Sequence, residues 1–161
     1  MPYSTSADIE KRLPTQMLIK LCDDEDTVTN YNDTLAAAIT DNAAISDRID
    51  AAIEDADSEI NIYLRKRYAP PIVDSTGGNP DSLRKLSADL ATYYLHMRRK
   101  SEMDVPDQVL RLYDRAVKIL EGINRGEIDP GIEPPPTKSA AVVAKFVGPD
   151  PAFTSTTLKD F

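Results

Sequence analysis

Residues 46–71, SDRIDAAIEDADSEINIYLRKRYAPP, leave the chain few options. Ile49, Ala52, Ile53, Ala56, Ile60, Tyr63, Leu64 and Tyr68 recur at three- and four-residue spacing, which builds one continuous apolar stripe on a helix. Asp47, Asp50, Glu54 and Asp57 recur on another face. The acidic start and the Arg65-Lys66-Arg67 end both complement the helix dipole, and Pro70-Pro71 stops the helix. Ser46 is the expected cap. At 1.5 Å per residue such a rod is about 33 Å long, which makes it the expected central strut of a small domain.

Three further segments carry helical patterning. The first runs from Ala7 to Cys22, capped by Ser6 and interrupted at Pro14, where it bends or divides in two. Another runs from Asp81 to Ser101 on Leu83, Leu86, Leu90, Tyr93, Tyr94 and Met97. The last starts near Pro106 with Asp104 as candidate cap. It carries Val109, Leu110, Leu112, Tyr113, Ala116, Val117, Leu120 and Ile123, and closes at Gly126, which suits the left-handed position past a helix end. Residues 23–45 are acidic and polar, with Asp33 or Thr34 placed to cap a short helix at Leu35–Thr40. Prolines then crowd the chain from Pro130 onward, with Pro134-Pro135-Pro136 as a stiff spacer. Residues 140–147 (AAVVAKFV) are a candidate short β-strand, and Phe146, Phe153, Leu158 and Phe161 are spaced apolar anchors. The expected architecture is all-α: a bundle of about four helices over 1–126, and an extended tail over 127–161 that docks on a neighbouring subunit or partner.

Little in the chain resembles chemistry. His96 is the only histidine and Cys22 the only cysteine, so no histidine metal site, cofactor site or internal disulfide is expected. His96 reads as a surface or interface residue. Asp23-Asp24-Glu25-Asp26 lacks the glycine and the closing glutamate of a calcium loop. Gly77-Gly78-Asn79-Pro80 lacks the lysine of a phosphate-binding loop. Repeated carboxylates on one polar face have no environment that would separate their pKa values, so no catalytic pair is assigned. No enzyme is expected. No basic segment followed by an apolar run stands near the start, and no run of 18 apolar residues occurs, so neither a signal peptide nor a membrane span is expected.

The net charge of −8 argues against general nucleic-acid binding. Its distribution is uneven: residues 1–62 carry 14 acidic and 4 basic side chains, residues 63–126 carry 8 and 12. A subunit with acidic and basic flanks can attract its own copies head to tail. The basic clusters put forward as subunit or partner contacts are Arg65 and Arg67 with Tyr68, and Arg98 with Arg99. Whether they lie together or at opposite ends is open at this stage.

The stretch from Ile60 through Tyr63-Leu64-Arg65-Lys66-Arg67-Tyr68 to Pro70-Pro71-Ile72 resembles the central helix of the Mu-like phage neck family. Leu86-Ser87-Ala88-Asp89-Leu90-Ala91-Thr92-Tyr93-Tyr94-Leu95 with Arg98-Arg99 is similar to that family's next helix. Arg111 to Leu120 with Asn124-Arg125-Gly126 is similar to its last. Tyr3 with Asp8-Ile9 matches its opening, and the endings at Phe153, Leu158 and Phe161 match its aromatic tail. Departures are Asn61 and Ile62 before Tyr63, and a longer acidic loop at 23–45. The resemblance implies a structural virion protein, a head–tail adaptor or connector made in the host cytoplasm. It implies a ring, commonly of twelve copies, between the portal protein and a tail-completion, terminator or other neck protein. The ring extends the channel through which DNA passes without sequence-specific binding. The other reading of the residues is a small helical regulatory or inhibitor protein that binds one protein partner.

Overall fold

The computed structural model describes residues 2–24, 28, 34–70, 72–73, 77–99 and 104–131. Among these the chain is all helix and loop: α1 (Ser6–Glu10), α2 (Thr15–Cys22), α3 (Leu35–Asp41), α4 (Ala44–Leu64), α5 (Asp81–Arg98) and α6 (Asp107–Arg125). The candidate strand at 140–147 and the anchors Phe146, Phe153, Leu158 and Phe161 lie outside the described residues.

The first expected helix is two. Pro14 has no N–H to give to a continuing helix, so α1 ends at Glu10 and α2 restarts with Pro14 as its N-cap. The cap of α1 is Thr5 rather than Ser6: the Thr5 backbone N–H and hydroxyl both donate to Asp8 Oδ2, at 3.2 and 2.9 Å. Thr34 caps α3 by accepting the Ala37 N–H at 3.3 Å. The central helix starts two residues before Ser46, because Asn42 Oδ1 accepts the Ala44 N–H at 3.0 Å and opens the first turn early. It spans 21 residues, or about 31 Å. Arg65-Lys66-Arg67 fall in the turn beyond it.

Helices α5 and α6 begin in the same way. Pro80 and Pro106 precede them in extended conformation, each followed by an aspartate in the positive first turn. Pro106, not Asp104, is therefore the residue at the start of α6. Its end follows the pattern expected of Gly126, which has φ 81°. The Gly126 N–H donates to Ile123 O and the Glu127 N–H to Gly122 O, a Schellman closure. The next residue, Ile128, folds back over Gly122, where a Cβ would lie 2.6 Å from Ile128 Cδ1.

α5 is the hub. It runs antiparallel to α4 and packs also on α6, α1 and α2, while α3 closes the start of α4. Ile49, Ile60 and Leu64 of α4 meet Leu83, Leu90 and Leu95 of α5 in one core, with Leu18, Ile19 and Leu21 of α2 and Leu120 of α6. All of these are essentially inaccessible to solvent, and truncating one such side chain to alanine costs about 2–5 kcal/mol. Leu110 and Met17, expected in apolar stripes, are partly exposed because each stripe is wider than the surface its neighbours cover.

Candidate assembly surfaces

A polar network joins the N-terminal segment to the bundle. Tyr3 is 2% exposed; its N–H donates to Asp57 Oδ2 at 2.8 Å and its hydroxyl to Asn61 Oδ1 at 2.8 Å, while that hydroxyl accepts the Ile72 N–H at 3.2 Å. Ser87 donates to Asp57 Oδ1 at 2.6 Å and its oxygen lies 2.7 Å from Ser4 Oγ. Asp57 is thus a correction to the acidic face read from periodicity: it is 9% exposed and turned inward. Burial pushes its pKa up, against the hydrogen bonds from Ser87 and Tyr3 that favour the carboxylate. Asn61, a departure from the family pattern, has a role here as the partner of the Tyr3 hydroxyl. A second buried carboxylate, Asp89, accepts from Arg12 Nε at 2.7 Å and ties the α1–α2 turn to α5.

The basic clusters lie at opposite ends of the bundle. Arg98 and Arg99 sit at the end of α5, beside the end of α2. Arg98 reaches Leu21 O and Asp24 Oδ2, the latter at 2.6 Å; Arg99 donates to Lys20 O and, at 3.0 Å, to Asp23 O; Arg48 reaches Cys22 O and, at 3.1 Å, Asp24 Oδ2. Three guanidinium groups therefore satisfy the last carbonyls of α2, where the helix dipole is negative. Both predicted contacts are engaged inside the chain, at the end of a different helix from their own.

Arg65 and Arg67 are exposed at the far end of α4, whereas Tyr68 is buried in the core. The Arg67 guanidinium lies against Gly126, in the space a Cβ there would occupy, and Asn124 Nδ2 donates to Tyr63 O at 2.8 Å. These contacts bind the ends of α4 and α6 together. On the same side, Tyr94 donates to Glu59 Oε2 at 2.5 Å, and Tyr93 stacks on Tyr113 with ring centres 4.0 Å apart. Burial, then Glu59, raises the Tyr94 pKa, so this clasp between α4, α5 and α6 stays protonated at neutral pH.

Cys22 and His96 are both buried. Cys22 is fully buried, and burial raises its thiol to about 11 despite the nearby arginines. His96 is not a surface residue: it is 3% exposed, its Nε2 has no hydrogen-bond partner among the described residues, and burial lowers its pKa. Its position one turn from the basic end of α5 suggested exposure, and the structure buries it instead. No cluster of metal-ligating side chains, and no helix long and apolar enough to cross a membrane, occurs among the described residues.

The free surface carries two contrasting features. The outward side of α4 presents Asp47, Asp50, Glu54 and Asp55, with Ile62 further along at 66% exposure. Between α5 and α6 lies a groove of about 210 Å³ with Leu86, Ala116, Ile119 and Ile123 at its floor and Ile128 and Pro130 at one end. The acidic face of α4 was legible in the sequence, apart from Asp57; the groove was not, because it joins faces of two helices with Ile128 and Pro130 beyond them.

The family model described as "Bacteriophage Mu, Gp36" matches residues 3–146. No curated protein matches the chain. The matched span runs from buried Tyr3 through all six described helices, so the network that holds the N-terminal segment and the Schellman end of α6 both fall within it. The chain belongs to the bacteriophage Mu Gp36 family.

Proposed function

We propose that this chain is a structural virion protein without enzymatic activity, a head–tail adaptor that forms a ring between the portal and the tail. The observation that carries this reading is the family match over residues 3–146. The character of the described surface supports it. Among the described residues the four buried carboxylates, Asp8, Asp23, Asp57 and Asp89, are engaged by structural partners, and Asp47, Asp50, Glu54 and Asp55 are exposed. Asp47, Asp50, Glu54 and Asp55 are exposed on α4 and Arg111, Arg115 and Lys118 on α6, an arrangement that suits a subunit that binds its own copies head to tail. The ring contains about twelve copies, as the resemblance implies. Its partners are the portal protein on one side and a tail-completion, terminator or other neck protein on the other, with residues 127–161 docking on one of these or on a neighbouring subunit. A chain with net charge −8 has no grip on phosphate, so DNA passes through without sequence-specific contact.

The test is removal of the protein from infection, followed by electron microscopy and protein mass spectrometry of purified particles. Expected are DNA-filled heads and separate tails, with joining restored by the wild-type chain. Joined particles of normal yield that lack the protein would refute the adaptor role. Absence from particles combined with a one-to-one complex with another protein would favour the regulator reading.

A further inference from the structure

We infer that the outward stripe of α4 on one copy packs, in parallel, against the basic-rimmed groove between α5 and α6 of the next copy. This rests on the ring reading above and names the surfaces that would build it. The α5–α6 groove opens into a shallower basin of about 440 Å³ over α6, and the two share Arg115, Ile119 and Ile128. Lys85, Arg111, Arg115 and Lys118 border them, and none of these four makes an ion pair among the described residues. Three acids also border the groove. Asp89 is neutralised by Arg12, while Asp114 and Asp129, which also accepts the Gly131 N–H, offset two of the four cations and leave the border net positive.

The complementary surface is α4. Asp47, Asp50, Glu54 and Asp55 are exposed and likewise without an ion pair among the described residues. Four carboxylates on two turns of one helix repel one another, which a row of cations would relieve. The lengths agree. Asp47 to Asp55 covers about 12 Å of helix and Arg111 to Lys118 about 10 Å. The apolar ends agree as well. Beyond its acids, toward its C-terminus, α4 exposes Ile62; beyond its cations, toward its C-terminus, α6 opens the groove floored by Ile119 and Ile123. From the centre of each charged run, Ile62 lies about 16 Å along α4 and Ile123 about 12 Å along α6, with Ile128 beyond it. A parallel alignment therefore sets carboxylates on guanidinium groups and places Ile62 in the groove, as a helix-in-groove contact does. The two patches share no residue, so each bound copy leaves one of each free, and the contact repeats until it closes.

Site-specific cross-linking of the full chain tests this. Ala51→Cys and Asp114→Cys are exposed positions near the middle of the two charged runs, and neither removes an attractive charge; Cys22 is buried and silent. The mixed pair should form a disulfide about tenfold faster than either variant with itself, a difference of about 1.4 kcal/mol. Adding Ile62→Asp to the α4 partner, or raising salt to about 1 M, should remove the preference. Asp50→Lys/Glu54→Lys on the α4 partner should also remove it, and Arg111→Glu/Arg115→Glu on the α6 partner should bring it back. Equal rates for mixed and same-site pairs would overturn the interface, whether or not particles contain the protein. Selective cross-linking of a protein absent from particles would keep the contact and overturn the adaptor reading.

Discussion

Asp57 offers the sharpest test of how the N-terminal segment is held. Replacing it by alanine removes the acceptor of the Tyr3 N–H and of the Ser87 hydroxyl. The two losses are unequal. Ser87 still has Ser4 Oγ at 2.7 Å, so its hydroxyl can re-pair. The Tyr3 N–H is buried and has no replacement, so it bears the full cost of an unsatisfied donor, about 1–3 kcal/mol. Removing a desolvated carboxylate offsets part of this, and a net loss of about 2 kcal/mol is expected, a large share of a typical 5–15 kcal/mol. Urea denaturation at pH 7 measures it, and hydrogen exchange at the Tyr3 amide locates it. The pH dependence separates the carboxylate from its hydrogen bonds. Because the native pKa of Asp57 is raised, the native state holds this proton more tightly than the unfolded chain. The resulting stabilisation is complete below the unfolded value of about 3.9 and is lost as pH rises through the native one. The stability of the wild type relative to Asp57→Asn should therefore grow as pH falls from 7 toward 4. A loss below about 0.5 kcal/mol in Asp57→Ala with unchanged exchange at Tyr3, or a wild-type advantage that shrinks on acidification, would refute the reasoning.

Three further outcomes are expected. Gly122→Ala, which in an ordinary helix interior would gain up to about 1 kcal/mol, should instead destabilise, because its Cβ meets Ile128; the gain should reappear in an Ile128→Ala background, as a double-mutant cycle by thermal unfolding would show. His96 is held neutral by burial, so the stability it contributes is present above the unfolded pKa of about 6.5 and lost as pH falls through its lowered native value; His96→Gln should flatten the stability profile between pH 7 and 5, and an unchanged slope would show that the ring is not desolvated. Cys22 should react with a thiol reagent at pH 8 only on the timescale of unfolding, and fast labelling of the native protein would contradict its burial and its pKa of about 11.

What the sequence determined by itself is the local order of the chain. Three- and four-residue spacing locates α4, α5 and α6, Gly126 marks an end, Asp33 or Thr34 a start and Pro14 a break, because helix stripes, caps and φ restrictions all act within about four residues. The order of those helices also carried the resemblance to a phage family, which the match over residues 3–146 bears out at the level of the family. What only the tertiary structure decided is where each polar group ends. Asp57 belongs by spacing to the same acidic series as Asp50 and Glu54, yet it turns inward, because Tyr3 and Ser87, 54 and 30 residues away, bring donors to it. Arg98 and Arg99 read as free cations at a helix end, yet they close the carbonyls of α2 some 75 to 80 residues earlier in the chain. The physical reason is common to both cases. A charge on a helix is exposed or buried according to which helix crosses it, and that crossing is set by the packing of apolar stripes far apart in sequence. The same packing leaves Asp47, Asp50, Glu54 and Asp55 of α4, and Lys85, Arg111, Arg115 and Lys118 beside the α5–α6 groove, without ion pairs among the described residues.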